Sequence, residues 1–288
     1  MQLIQTNADI ITQRDIWQHK GTKVGLVPTM GFLHEGHLSL VRTAQIENEL
    51  VVVSIFVNPL QFGPKEDLSR YPRDLNRDLA LLEKEGVSLV FNPSPEEIYP
   101  PGFDASVEIG GVSAPLEGVI RPGHFRGVAT VVAKLFHLVG PSAAYFGQKD
   151  AQQVAVIKKM VRDLNFPLEI RVIPTVREPD GLALSSRNIF LSPQQRSSAL
   201  ILYRALQAAE TTWRKYPTER KGSTLRQIMT EVIATEPEAR PDYLSAADPE
   251  TLQEYEGPIP AGKGVLLSLA VRFGTTRLID NFLLEADG

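Results

Sequence analysis

The residues best suited to chemistry in this sequence lie in the segment 28–37. It reads Pro-Thr-Met-Gly-Phe-Leu-His-Glu-Gly-His, follows a β-rich run and opens a helical pattern. His34 and His37 lie three residues apart with Gly36 between them, so both imidazoles can face a ligand at the positive end of the helix dipole. Two such donors suit phosphate oxygens and the charge that builds at phosphorus during in-line displacement.

Two other interpretations of this histidine pair stay open. His-x-x-His can ligate a metal, although the zinc-protease signature spaces its histidines four apart on an established helix. Buried histidines can also serve only to satisfy hydrogen bonds of their surroundings. The position after the first strand of an alternating strand–helix pattern favours phosphate binding over both.

Two further loops with polar side chains follow predicted strands. Asn58 and Gln61 come after the run 50–57, and their uncharged amides can orient hydroxyl and carboxylate oxygens without neutralising a carboxylate that must attack. Lys149 follows a later strand and supplies a point charge for phosphate. Asp150 beside it can cap the next helix, bind a ribose hydroxyl or help to hold a magnesium ion.

A third polar loop lies where the first predicted domain ends. Residues 184–188 read Leu-Ser-Ser-Arg-Asn, and the two hydroxyls and the guanidinium make a compact anion clamp. A loop at a domain boundary can also close over a substrate. Ordinary turn and capping duty is the alternative for these serines, as it is for Asn58 and Gln61.

Composition excludes several classes of chemistry. The 288-residue chain has no cysteine, which removes disulfides, Cys-ligated zinc and a thiol nucleophile. Lys and Arg total 30 against 34 Asp and Glu, a net charge of −4, and no basic run indicates a nucleic-acid partner. Neither a P-loop nor a Gly-x-Gly-x-x-Gly turn follows the first strand. Without a signal-peptide pattern or an apolar run of about 18 residues, we expect a cytoplasmic protein with no membrane contact.

The elements that must position these loops alternate between β-rich and helical patterns, which is typical of a parallel sheet with crossover helices. We predict an α/β fold, with a doubly wound, parallel-sheet, Rossmann-like N-terminal domain over residues 1–180 and a smaller α+β domain, a lid, over residues 181–288. In the first domain, strands are predicted at 23–28, 50–57, 87–91, 143–146 and 168–173, and helices at 37–46, 73–85, 125–139 and 150–164. In the second, helices are predicted at 192–213 and 224–235 and strands at 242–246, 264–273 and 276–282, with a hairpin turn near Gly274. The Pro- and Gly-rich segment 92–123 contains one strand candidate, at 106–109.

Five segments in one order resemble the pantothenate synthetases, also called pantoate–β-alanine ligases. They are residues 28–37, 56–63 (Phe-Val-Asn-Pro-Leu-Gln-Phe-Gly), 121–128 (Arg-Pro-Gly-His-Phe-Arg-Gly-Val), 147–153 and 174–188. The resemblance covers most of the first 190 residues and is less distinctive in the C-terminal third. It implies membership of the nucleotidyltransferase superfamily that shares the His-x-Gly-His turn with class I aminoacyl-tRNA synthetases.

The resemblance also implies a reaction. Pantoate carboxylate attacks the α-phosphorus of ATP to give pantoyl adenylate and pyrophosphate, and the amine of β-alanine then displaces AMP to give pantothenate. The substrate carries the activated intermediate, so no enzyme nucleophile is needed, in agreement with the absence of cysteine. ATP is then a co-substrate that arrives with Mg²⁺, and a homodimer is implied.

Carried onto this chain, the resemblance assigns roles residue by residue. His37 is the catalytic acid, for which a hydrogen bond donated to the charged transition state is sufficient, and His34, Lys149 and Arg187 assist it. Pantoate is bound by Gln61, Gln153 and Asn58, and Gln61 also meets β-alanine. The ATP-binding residues are Met30, Gly31, Phe32, Leu33, His34, Glu35, Gly36, His37, Gly147, Gln148, Lys149, Asp150, Val176, Leu184, Ser185, Ser186 and Arg187.

One segment departs from the family pattern. Some members carry an acidic pair on the helix after Tyr-Pro-Arg that helps to place Mg²⁺ through water, whereas this chain has Arg77 at one of those positions, followed by Asp78. We therefore expect no side-chain metal ligand and a Mg²⁺ ion held mainly by ATP oxygens and water.

Two alternative functions stay open. One is nucleotidyl transfer to another small acceptor; the uncharged amides of Asn58 and Gln61 argue against a phosphorylated one. The other is a non-catalytic, RNA-binding relative of the synthetases, against which the net charge of −4 argues.

Overall fold

A computed structural model describes residues 1–63 and 68–286 and divides the chain into two compact units. The first unit comprises Met1–Gln148 and Gln152–Pro174, and the second comprises Lys149–Ala151 and Thr175–Gly288. The segment that carries Lys149 is thus grouped with the C-terminal part of the chain. The domain boundary after residue 180 stays a prediction.

A six-stranded parallel sheet forms the centre of the first unit. From β2 the chain moves outward to β3 and β4, then returns to place β5 on the other side of β2, so the direction of winding switches between β2 and β5. This order confirms the predicted doubly wound sheet, and ligands of such sheets bind outside the carboxyl ends of the strands at the switch. The strands are β1 (Gln2–Ile4), β2 (Val24–Thr29), β3 (Leu50–Ile55), β4 (Leu89–Phe91), β5 (Ala143–Gly147) and β6 (Glu169–Ile173), in the spatial order β1-β4-β3-β2-β5-β6.

Helices cover both faces of this sheet. Val27 and Val53 are buried against α2 and α3, while the alternate residues Leu26 and Val52 are fully buried as well, which is why these strands read as continuous apolar runs. The helices are α1 (Asn7–Lys20), α2 (Glu35–Glu47), α3 (Leu75–Lys84), α4 (Pro95–Ile98), α5 (Glu117–Ile120), α6 (His124–Val139) and α7 (Ala151–Asp163).

Two local predictions in the first unit are wrong, and two elements were not predicted. Residues 106–109 do not form a strand; the N–H of Val107 donates instead to the Thr130 hydroxyl at 2.9 Å. The strand from Leu50 ends at Ile55, because the chain turns there toward Asn58. The sequence patterns also missed β1 and α1, although Thr6 accepts a capping hydrogen bond from the N–H of Asp9, a readable helix-start signal.

The second unit is α+β, as predicted. Its three strands form an antiparallel sheet in the order β7-β8-β9, and the β8–β9 hairpin turns through Gly274 at a φ of +58°. The elements are α8 (Pro193–Ser198), α9 (Ile201–Lys215), α10 (Gly222–Ala234), β7 (Ala239–Ala247), β8 (Val265–Phe273) and β9 (Thr276–Leu284).

The single helix predicted over 192–213 is wrong, since it is divided into α8 and α9. Ser192 and Gln195 form the expected capping box at the start of α8. At the junction, the N–H groups of Leu200 and Leu202 bond to carbonyls three residues back, and this tightening interrupts the helix. Elsewhere, no helix among residues 1–63 and 68–286 is long and apolar enough to cross a bilayer.

The C-terminal sheet carries a pH-dependent ion pair. The Nε atoms of Arg272 and Arg277 lie 3.1 and 2.6 Å from the Asp242 carboxylate. Burial alone raises the pKa of Asp242, but the hydrogen bonds from the two arginines outweigh burial and hold it below the ordinary value of 3.8. A depressed native pKa stabilises the fold above the unfolded-state value and loses this contribution as pH falls through the native value.

We therefore expect Asp242→Asn to lower the free energy of unfolding by about 1 kcal/mol at neutral pH, and by progressively less as pH falls below 3.8. Urea unfolding across this pH range measures the difference, with the exposed Asp104→Asn as the matched control. An equal difference at every pH would contradict the prediction.

Candidate functional site

The turn after β2 is built from two residues in the left-handed region of backbone space. Gly31 has a φ of +80° and Phe32 a φ of +49°. The Thr29 hydroxyl donates to the carbonyl of Ser54 on β3 at 2.8 Å and accepts from the N–H of Gly31 at 3.2 Å. The turn is thereby tied to the neighbouring strand at the switch of the sheet.

His34 and His37 lie side by side where α2 begins. His34 is the N-cap, and its Nδ1 accepts from the N–H of Gly36 at 3.2 Å, while Nδ1 of His37 accepts from the N–H of His34 at 3.3 Å. The ring centroids are 4.1 Å apart. Because an accepting Nδ1 carries no proton, the neutral ring of each histidine bears its proton on Nε2. The pair can therefore present two N–H donors at the positive end of α2.

Other predicted members of this turn are engaged with their own unit. Glu35 is ion-paired with Arg42, which also binds Glu85 at 2.6 Å. Met30 places its sulfur 3.2 Å from Nε2 of Gln61, so the turn meets the loop after β3. The roles of Glu35 and Met30 toward ATP stay predictions.

Asp78 of α3 holds the same turn, a role that was missed from the sequence because this segment was considered only for metal binding. Its carboxylate accepts from the N–H groups of Phe32 at 2.7 Å and Leu33 at 2.8 Å. Burial raises the pKa of Asp78, against the lowering effect of these two hydrogen bonds and of Arg77.

Among residues 1–63 and 68–286, no three His, Cys, Asp or Glu side chains converge as a metal-binding group. With both oxygens engaged and Arg77 adjacent, Asp78 does not fit a Mg²⁺ ligand.

The Asn58–Gln61 loop is rigidly supported. Nδ2 of Asn58 donates to Oε1 of Gln61 and to the carbonyl of Gly127, both at 3.1 Å, and Oδ1 accepts from the Tyr99 hydroxyl at 2.7 Å. Burial raises the pKa of Tyr99, so the hydroxyl stays a neutral donor. Asn58 is thus occupied in holding Gln61, and its direct contact with pantoate stays a prediction. A side chain at Gly127 would meet the carbonyl of Leu60 at 2.3 Å, so only glycine lets α6 pass this loop.

His124 and Arg121 complete the support of Gln61; their motif is part of the family resemblance, which gave them no role. Nδ1 of His124 lies 2.8 Å from the Gln61 carbonyl, which can only accept, so Nδ1 carries the proton. Nε2 of His124 lies 3.1 Å from Nη1 of Arg121, which can only donate. This neutral tautomer is opposite to that of the two histidines in the α2 turn.

Gln153 and its neighbour Gln152 occupy the start of α7 with different surroundings. Gln153 is half-buried, consistent with a substrate-facing amide. Gln152 is buried, donates to the carbonyls of Val112 and Pro115 and accepts from the N–H of Glu117. Gln152 therefore fixes the otherwise irregular segment 112–117, a function that the sequence pattern did not indicate.

In the second unit, Lys149 lies in a 3-10 turn formed by Gln148–Asp150. Its Nζ is 3.7 Å from the Asp150 carboxylate, and its carbonyl accepts from Nδ2 of Asn281 on β9 at 2.8 Å. The helix that follows begins only at Ala151. Asp150 is accordingly a salt-bridge partner of Lys149, and its contact with ATP stays a prediction.

The structure brings together two other predicted ATP-binding segments of the second unit. The N–H of Leu184 donates to the carbonyl of Val176 at 3.0 Å, beside a bridge between Arg177 and Ala183. Ser185 caps the next 3-10 turn by accepting from the N–H of Arg187 at 3.2 Å. Ser185 therefore acts as a cap, as one of the two interpretations of this loop expects, and its anion-binding role stays a prediction.

Comparisons with known proteins identify the family of this chain. The sequence profile described as pantoate-beta-alanine ligase matches residues 2–283. A pantothenate synthetase of Roseiflexus castenholzii is 62% identical over 263 residues, 91% of this chain and 93% of the relative, and one of Moorella thermoacetica is 54% identical over 287 residues and the full length of both.

Solved structures give the same result. The pantothenate synthetase of Thermus thermophilus superimposes with a TM-score of 0.91 at 50% identity, covering 98% of this chain and 99% of that one. A pantoate-beta-alanine ligase of Francisella tularensis, solved with beta-gamma ATP and beta-alanine, gives 0.80 at 35% identity, covering 100% and 99%. With its doubly wound sheet, its paired histidines at the start of α2 and these matches along the whole sequence, the chain belongs to the pantoate–β-alanine ligase family.

Proposed function

We propose that this chain condenses pantoate with β-alanine in a reaction driven by ATP, giving pantothenate, AMP and pyrophosphate through a pantoyl-adenylate intermediate. The observation that carries the proposal is the pair of neighbouring imidazoles, His34 and His37, with Nδ1 of each accepting from a backbone N–H where α2 begins. The family membership supplies the identity of the substrates.

In the first step a pantoate carboxylate oxygen forms a bond to the α-phosphorus of ATP, and the bond from that phosphorus to the pyrophosphate oxygen breaks. Negative charge grows on the phosphoryl oxygens in the transition state. The Nε2–H groups of His34 and His37 donate hydrogen bonds to that charge, and no proton needs to leave either ring. The absence of cysteine agrees with an intermediate carried on the substrate.

In the second step the amine of β-alanine attacks the acyl carbon of pantoyl adenylate. The carbon–nitrogen bond forms, the ammonium proton is lost to solvent, and AMP leaves. Gln61 and Gln153 orient pantoate through their amides, with Gln61 also reaching β-alanine. Support for Gln61 comes from Asn58 and His124, which hold its side chain and its carbonyl.

We assign ATP binding to the turn that begins α2 and to the loops that carry Lys149 and Ser185. Lys149, Ser185, Ser186 and Arg187 bind its phosphates, and Mg²⁺ stays coordinated by ATP oxygens and water, in keeping with the engagement of Asp78 by backbone N–H groups. The remaining assigned contacts are Met30, Gly31, Phe32, Leu33, Glu35, Gly36, Gly147, Gln148, Asp150, Val176 and Leu184.

The proposal predicts two results that distinguish it from simple nucleotidyl transfer. Labelled pyrophosphate should exchange into ATP when pantoate is present and β-alanine is omitted, because the first step is then reversible and isolated. Addition of β-alanine should yield AMP and pantothenate in equal amounts. A folded protein that shows neither exchange nor AMP would contradict the proposal.

The proposal also includes the location of the protein in the cell and its oligomeric state. We assign the chain to the cytoplasm and to a homodimer, on the strength of the family resemblance. Light scattering coupled to size exclusion measures the second directly, and a particle with the mass of a single chain at working concentration would contradict it.

A further inference from the structure

An internal carboxylate occupies the backbone donors of the histidine turn. Asp78 is 1% exposed, and its two oxygens accept separately from the N–H groups of Phe32 and Leu33. Successive N–H groups in a turn of this kind form a concavity that binds anions. In this chain the anion is supplied by α3, so this part of the turn is set by a protein side chain before any phosphate arrives.

The turn needs such an acceptor because its backbone conformation is unfavourable. Phe32 lies in the left-handed region, which is unfavourable for a residue with a side chain. Such conformations persist where surrounding contacts over-determine them, and they concentrate at ligand sites. Gly31 before it also has a positive φ, and a Cβ there would meet Oδ2 of Asp78 at 3.0 Å. The carboxylate and the turn therefore fit closely together.

The residue that precedes Asp78 holds the same two turn residues from the other side. Nη2 of Arg77 donates to the carbonyl of Leu33 at 2.9 Å, and its guanidinium lies 5.0 Å from the centre of the Phe32 ring. Nη1 of Arg77 is also 3.4 Å from Oδ1 of Asp78. Asp78 thus accepts from the N–H groups of Phe32 and Leu33, while Arg77 contacts the carbonyl of Leu33 and the ring of Phe32.

We infer that Asp78 is a positioning residue for the reaction, with Arg77 as its support. Leu33 immediately precedes the N-cap His34. The hydrogen bonds to Phe32 and Leu33 therefore fix where α2 begins and where His34 and His37 place their Nε2–H groups. Misplacing a donor by about 1 Å can cost about 100-fold in rate. The expected loss of kcat rests on the proposed function, whereas the positioning of the turn by Asp78 does not.

The kinetic test compares Asp78→Asn with a matched variant on the same helix. In Asp78→Asn one carboxylate oxygen becomes an NH₂ group that faces a peptide N–H, so we expect kcat to fall about 100-fold while the KM for pantoate is unchanged. Asp78→Glu, which keeps the carboxylate, should recover part of the loss. Glu83 is an exposed residue farther along the same helix, so Glu83→Gln should leave kcat unchanged.

Two further measurements keep the test decisive if Asp78→Asn folds poorly. Arg77→Gln changes a half-exposed side chain and should lower kcat several-fold without lowering the melting temperature. In a ¹H–¹⁵N spectrum, the Phe32 and Leu33 amide protons should move upfield in Asp78→Asn, because they lose a charged acceptor. Wild-type kcat in both folded variants, or unmoved amide resonances, overturns the inference. Absence of pyrophosphate exchange in the wild-type protein contradicts the proposed function instead, and leaves the amide test standing.

Discussion

Replacement of His37 by alanine is expected to lower kcat by about 100- to 1,000-fold, the usual cost of removing one preorganised donor from a developing charge. The ATP dissociation constant should change little. Nδ1 of His37 accepts from the backbone N–H of His34, so the ring is oriented before substrate binds, as the proposed role of its Nε2–H group requires. Single-turnover formation of pantoyl adenylate measures the step, and equilibrium titration with ATP measures binding.

Two variants make this result specific. His37→Gln retains an N–H donor on a flexible side chain and should fall between the wild-type protein and His37→Ala. His19→Ala removes an exposed imidazole whose Nδ1 lies 2.6 Å from the Asp15 carbonyl of its own helix α1, and it should leave kcat unchanged. Equal losses in turnover and ATP affinity for His37→Ala would show that the ring serves binding rather than the transition state.

Replacement of Asp280 by alanine should lower the free energy of unfolding of the second unit by about 3–5 kcal/mol. Asp280 is 2% exposed and accepts two parallel hydrogen bonds, at 2.6 and 2.8 Å, from Arg177. The centre of that guanidinium also lies 4.9 Å from the centre of the Tyr203 ring and 5.1 Å from that of Phe282. Removing the carboxylate leaves a largely buried positive charge without its counter-ion, and urea unfolding of the whole chain measures the loss.

Controls separate a buried charge from a generic ion pair. Asp163→Ala breaks a solvent-exposed pair with Lys159 and should produce no measurable change. The double variant Arg177→Met with Asp280→Leu replaces the pair by apolar side chains beside two rings and should recover much of the stability lost in Asp280→Ala. If Asp280→Ala were as stable as Asp163→Ala, the prediction would be wrong.

The same pair bears on the proposed ATP site. Arg177 follows Val176 and bridges to Ala183, so its link to β9 ties down both predicted ATP-binding segments of the second unit. Asn281, the next residue on β9, donates to the Lys149 carbonyl. The sequence predicted the C-terminal strands but not these links, because contacts between residues more than a hundred positions apart leave no periodic signal.

The sequence by itself determined the parallel sheet and the position of the His-x-Gly-His turn at the end of a strand. Apolar runs of strand length, helix patterns between them and a His-x-Gly-His turn at a strand end are local features, and parallel strands necessarily bring their carboxyl ends to one edge. Short elements were missed for the complementary reason. The three-residue strand β1 has no periodicity to detect, and the 106–109 run resembles a strand locally but finds no partner among the described residues.

Only the tertiary structure decided how the site residues are held. The tautomers of His34, His37 and His124 follow from which nitrogen meets a backbone donor or acceptor, and Asp78 becomes a partner of the histidine turn because α3 packs beside it. Residue types can be read along the chain, but the direction of a proton or a carboxylate depends on neighbours that are close in space and distant in sequence. Residue type therefore sets which chemistry is possible, and packing sets which atoms perform it.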